Sequence, residues 1–167
     1  MDETRVPLST AQAIDAWYAT APLLRHPAMR ARALRVRGHL ETYLDTEAER
    51  WLTSAELTLV EAERQLDPAD AVSRVTGPEA LVATLPGFVD RDWLMPMAGD
   101  ARVQLRVVAE LVRWLVATGL VDRNEMSCSV LEIEARLHAA RSWLGGRPRP
   151  AVSPSGRRAP RPPGSGP

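Results

Sequence analysis

Lysine is missing from this chain: all 21 basic residues are arginine, set against 21 acidic ones. Arginine is therefore the default exposed cation, which lowers the information carried by any single arginine cluster. One cysteine, Cys128, excludes an internal disulfide, so nothing asks for an oxidising compartment, and the cytoplasm is the expected location. Aromatic residues are few, with five tryptophans, two tyrosines and one phenylalanine, and β-branched residues are sparse beside alanine and leucine. That composition favours helix over strand. No apolar run approaches the ~18 residues of a membrane span. The nearest, LVRWLVATGLV, is interrupted by Arg113. The opening MDETRVPLST is acidic with no apolar run behind it, which does not read as a secretory signal.

What remains is material for one folded domain: 167 residues, 45% of them hydrophobic. Its charge is segregated. Residues 1–146 hold 16 arginines against all 21 acids, a net of minus five, while residues 147–167 hold five arginines and no acid. That last stretch, RPRPAVSPSGRRAPRPPGSGP, has almost nothing to bury and reads as a disordered basic tail, leaving 1–146 as the folded domain.

Helix signals are frequent. Ser9 or Thr10 caps a first helix that Pro22 ends, and Pro27 opens a second that reaches at least Leu52. Met29, Ala33, Val36, Leu40, Tyr43, Leu44 and Trp51 recur on it at helical spacing as a core stripe. TSAE at 53–56 forms a capping box. A new helix from Ser54 with Ala55, Leu59, Ala62 and Leu66 facing inward is preferred to one continuous helix over 27–66. From 67 to 98 the punctuation by Pro68, TGP, LPG and MPMAG allows only short helices, followed by a plug of Phe88, Val89, Trp93, Leu94 and Met97. Asp100 caps the most apolar helix, 101–118, whose apolar arc includes Leu111, Trp114 and Leu115, and Gly119 ends it. A last helix carries Met126, Val130, Ile133, Leu137, Ala140 and Leu144 on one side and stops at Gly145 and Gly146. The expected fold is an all-α bundle of about four main helices with short connecting ones.

The conspicuous segment is RHPAMRARALRVRGH at 25–39. Arg25, Arg30, Arg32, Arg35 and Arg37, together with Arg147, Arg149, Arg157, Arg158 and Arg161 of the tail, are the candidate polyanion contacts. On a helix from Pro27, Arg30 and Arg37 share one flank and Arg32, Arg35 and His39 another, with the apolar stripe between them. Arginines divided in this way flank a buried face more naturally than they converge on a phosphate backbone.

Catalytic and metal signals are weak. Glu47 lies near the apolar stripe and is expected to pair with an arginine from a neighbouring helix. Gln104, inside an apolar arc, needs a backbone or loop partner. Glu134 and His138 are spaced for two ligands on one helix face, but no histidine has a glutamate three residues before it, and His26 and His39 lack zinc-site spacing. Cys128 opens a helix, yet His138 lies nearly three turns on and cannot serve it as a base. No cofactor, metal or catalytic constellation is expected.

The link ATGLVDRNEMS is similar to the helix ends of winged-helix repressors, where such a turn closes the recognition helix. That resemblance implies DNA reading and a two-stranded wing next in the chain. EMSCSVLEIEARLHAARSWL reads as helix throughout, so no wing is expected. The function this leaves is a small non-catalytic interaction or regulatory module acting through a protein partner or through self-association. The alternative is weak, non-specific nucleic-acid binding through the tail and the 25–39 segment.

Overall fold

Thr10 to Thr20 form the first helix, α1, because Ser9 and Gln12 make a reciprocal capping box that satisfies two of the free N–H groups at its start. The structure, a computed structural model, describes residues 7–146. The expected tail and its five arginines lie outside the described residues. Thr10 is not the cap. Its backbone N–H donates to the Thr76 carbonyl and its hydroxyl to that of Gly77, which ties α1 to the middle of the chain.

The order that follows is a 3-10 turn at Pro22–Arg25, α2 at Pro27–Glu47, a second 3-10 turn at Ala48–Trp51, α3 at Ser54–Leu66 and α4 at Ala71–Val75. Helices α5 at Pro78–Phe88, α6 at Ala98–Ala117 and α7 at Ser127–Gly146 complete it. The architecture is all-α, with seven α-helices among the described residues rather than about four main ones. Much of the difference lies in α5, which runs three turns straight through LPG. Pro86 sits in its last turn, where only one i to i−4 bond is forfeited.

Helix α6 is central, packing against α1, α2, α5 and α7. Leu105, Val107, Val108, Leu111 and Leu115 on it are essentially without solvent contact. Trp114 is only partly buried, because it lies at the edge of the arc rather than under it. Asp100 does not cap α6. The helix begins two residues earlier, at Ala98, so Asp100 falls in its first turn and its carboxylate is used elsewhere. Gly119 takes the left-handed conformation, φ 70°, and the amides of Leu120 and Val121 close back on the Leu115 carbonyl. α7 then returns along α6, with Leu144 beside Leu105 and Ile133 beside Val112, an antiparallel hairpin. No strand follows the 117–127 link among the described residues, so the winged-helix resemblance finds no wing.

α2 buries Ala33, Val36, Leu40, Tyr43 and Leu44 as its spacing implies, but it ends as an α-helix at Glu47, short of Leu52. The chain tightens there into the 3-10 turn, and Trp51 is carried out to 40% exposure. In the plug, Phe88, Val89 and Leu94 are buried while Met97 is exposed. Gln104 holds this loop. Its amide donates to the Phe88 and Trp93 carbonyls and its oxygen accepts from the Met95 amide, all at 2.9 Å, the backbone partners its position demanded.

Candidate docking surface

The arginine cluster divides between two neighbours. Arg32 and Arg35 reach across to Asp100 on α6. Arg35 grips it as a fork, with Nη2 2.8 Å from Oδ1 and Nε 3.3 Å from Oδ2, and Arg32 adds a bond at 3.3 Å. The hydrogen bond from Arg35, aided by both guanidinium charges, holds the Asp100 carboxyl below its ordinary value. Arg37, on the opposite flank, binds Asp15 of α1 at 2.6 Å and Glu41 at 2.8 Å, and lies over the Tyr18 ring. Tyr18 donates to the Ala33 carbonyl, and burial pushes its phenol pKa up. Three of the five arginines in the 25–39 segment are thus committed to carboxylates of the fold itself.

Arg25 and Arg30 have no hydrogen-bond or ion-pair partner among the described residues. They line an open groove of about 560 Å³ between the end of α1 and the start of α2, together with Arg37, Leu24 and the half-exposed Leu34. The five tail arginines, Arg147, Arg149, Arg157, Arg158 and Arg161, lie outside the described residues.

A second depression, about 350 Å³, brings Tyr43, Trp51 and Trp93 together with Glu47, Arg50, Asp90, Asp92 and Arg136. Most of its charges are internally matched. Glu47 pairs with Arg50 one turn along the chain, not with a neighbouring helix, because the 3-10 turn after α2 folds Arg50 back over it. Arg136 joins Asp90 at 2.7 Å and Glu132 at 2.9 Å. The Tyr43 hydroxyl donates to the Thr84 carbonyl and burial lifts its pKa to about 12, so it is neither a free nucleophile nor a ready acid. Cys128 is exposed, and no group of metal-ligating side chains assembles among the described residues, around His138 or anywhere else. Nor is any described helix long and apolar enough to cross a membrane.

The surface that sequence reasoning missed is on α3. The Thr53–Glu56 capping box starts this helix as expected, with the Thr53 amide donating to Glu56 at 2.8 Å. Its orientation is the reverse of the expected one. Val60 is the buried residue, while Ala55, Leu59, Ala62 and Leu66 all face solvent, Leu59 at 55% and Leu66 at 84% exposure. Ionic anchors set this orientation. Arg64, on the inner side, pairs with Glu49 and donates to the Asp45 carbonyl, and Glu63 receives Arg74 of α4 at 2.9 Å. α3 therefore turns Val60, the partly buried Leu57 and its ion-paired residues inward and a second, wider apolar stripe outward. The other exposed large apolar residues, Leu34, Trp51, Met97 and Leu131, sit apart, in α2, in the second 3-10 turn, in the loop before α6 and in α7. Scattered singly they are ordinary surface, whereas the α3 stripe is contiguous.

Comparison with known proteins found no matching family model, no similar curated protein and no similar solved structure.

Proposed function

We propose that this protein is a non-catalytic helical interaction module that works by docking another polypeptide against the outer face of α3. The observation that carries this reading is the outward stripe of Ala55, Leu59, Ala62 and Leu66. Those four side chains recur at helical spacing over about 16 Å of helix and contain no charge. An exposed apolar stripe of this kind costs hydration free energy until another apolar surface covers it. A helix from a partner, laid along α3 through its own apolar positions, supplies that cover.

The test is a photo-crosslinking amino acid placed at Leu59, and separately at the equally exposed Leu131 of α7, in the native cells. A discrete polypeptide adduct is expected from position 59 and not from 131, and Leu59→Glu should reproduce the phenotype of deleting the gene while helicity is unchanged. Equal labelling at both positions, or wild-type behaviour of the glutamate variant, would overturn the reading.

The unpaired Arg25 and Arg30 favour a second reading, polyanion contact. In this groove only these two guanidinium groups are unpaired, beside Asp15, whereas the stripe on α3 is a contiguous surface of four side chains. The polypeptide reading takes precedence on that ground.

A further inference from the structure

The arrangement of large and small side chains on α3 indicates which polypeptide fits it best. We infer that the partner is a second copy of this chain, packed with α3 antiparallel to α3 about a twofold axis. This rests on the docking role proposed for the same face.

Along the stripe the order is Ala55, Leu59, Ala62, Leu66. If a second α3 is laid antiparallel with the axis passing between Val60 and Glu61, Ala55 comes opposite Leu66 of the partner copy and Leu59 opposite its Ala62. Every contact sets a large side chain against a small one, and both pairs share that one midpoint. A parallel pairing in register would instead set leucine on leucine and alanine on alanine, alternating clashes with voids. Large against small lets two helix axes approach to about 8 Å with interdigitated side chains. An isologous contact requires this self-complementarity, which an arbitrary helical partner has no reason to match.

The flanks are compatible with the same register. In an antiparallel pair each flank meets its own equivalent. On one side Thr58 and Gln65 therefore face the partner's Gln65 and Thr58, two uncharged groups able to hydrogen bond. On the other side Glu56 approaches the partner's Glu63. That like-charge contact is reduced because Glu63 already carries the Arg74 ion pair and Glu56 is bound into its cap. Raising salt screens what remains of it. Self-association should therefore strengthen with salt, opposite to the behaviour of a phosphate contact.

Segments of the chain outside the described residues do not match the stripe. Residues 1–6 are MDETRV, and 147–167 contain no leucine, isoleucine, methionine or aromatic residue. Neither segment offers a run of large apolar side chains to lay against it. A single pair of helices about 20 Å long buries less than the roughly 800 Å² per partner of a standard interface, so the dimer should be reversible.

The experiment uses the full chain with Cys128→Ser, into which Ala55→Cys or Leu66→Cys is introduced. Under mild oxidation, mixing the two variants should give a disulfide-linked heterodimer, whereas each alone should not self-link, because the two copies of residue 55 lie about 16 Å apart in this register. Sedimentation of the unmodified chain should show a monomer–dimer equilibrium that strengthens with added sodium chloride, and Leu59→Glu should weaken it at least tenfold. Self-linking by the single variants would overturn the antiparallel register. A chain monomeric at every concentration would overturn self-association but leave the docking role standing if position 59 still crosslinks to a different polypeptide. A dimer indifferent to Leu59→Glu would refute this inference, and with no adduct at position 59 the docking role would fall with it.

Discussion

Replacing Gln104 with leucine opens no cavity and removes its three hydrogen bonds, so the effect reports chiefly on polar satisfaction. The side chain has no solvent contact. Of its partners, the Trp93 carbonyl keeps a second donor, the Nε2 of His39 at 2.8 Å. A carbonyl only accepts, so that nitrogen carries the proton. The Phe88 carbonyl has no such reserve and is left buried and unpaired, at a cost of ~1 to 3 kcal/mol. The Met95 amide is partly buried and adds about 1 kcal/mol. Together these place Gln104→Leu at ~2 to 4 kcal/mol of destabilisation, a large fraction of a single domain's stability. Urea unfolding followed by tryptophan emission measures the loss, and hydrogen exchange should show the Met95 amide losing protection. A cost below about 1 kcal/mol with Met95 exchange unchanged would mean that Gln104 does not hold the 88–97 loop.

Two glycines should respond oppositely to alanine. At Gly87 a Cβ would run into the hydroxyl of the fully buried Tyr43, so Gly87→Ala should cost more than ~1 kcal/mol, and a neutral result in thermal unfolding would contradict the packing there. At Gly99 the obstacle is the end of the flexible, half-exposed Arg32, so Gly99→Ala should fall within about 0.5 kcal/mol of wild type, Arg35 retaining Asp100. Asp100 contributes to the acid limb of stability. Its folded pKa lies below the ordinary 3.8, so its contribution is complete above that value and is lost as pH falls through the lower folded one. Asp100→Asn should flatten the part of the decline that lies below 3.8, and superimposable profiles would refute the clamp. If the protein touches DNA, removing Arg25 and Arg30 in the full chain should reduce the salt slope by about 2, while Arg32→Ala with Arg35→Ala should leave it unchanged, and the reverse pattern would show that Asp100 does not occupy those two arginines.

Where one apolar stripe met one core, spacing alone located the elements. α2 starts at Pro27 as expected and α6 three residues before the expected 101, and with α7 they bury Val36, Leu40, Leu111, Ile133 and Leu137 as the periodicity implies. The split of the arginine segment onto two flanks was legible for the same reason, since helical geometry places Arg32 and Arg35 away from Arg30 and Arg37. Their partners were not, because Asp15 and Asp100 lie 22 and 65 residues away in the chain. α5 was underestimated because LPG reads as a break, whereas Pro86 falls only two residues before the helix ends at Phe88. Trp51 was misplaced because one 3-10 turn shifts the phase of everything after Glu47.

The misreading of α3 and the proposed docking face are the same physical fact. Burying the apolar side of a helix is the default because water penalises exposed apolar surface, and on that rule Ala55, Leu59, Ala62 and Leu66 belong inside. The fold sets them outside by anchoring the other edge with ions: Arg64 to Glu49 and the Asp45 carbonyl, and Arg74 to Glu63. Each anchor is partly exposed and worth little singly. They act together with the burial of Val60, which exchanges places with Leu59 if the helix rolls. If the outward orientation depends on these pairs, Arg64→Ala with Arg74→Ala should let α3 roll, burying Leu59 and exposing Val60. Hydroxyl-radical footprinting reads this directly, as protection gained at Leu59 and Leu66. The double variant should also lose the capacity to pair, although neither arginine lies on the stripe. Unchanged footprints would mean that α3 holds its face outward without its ionic anchors.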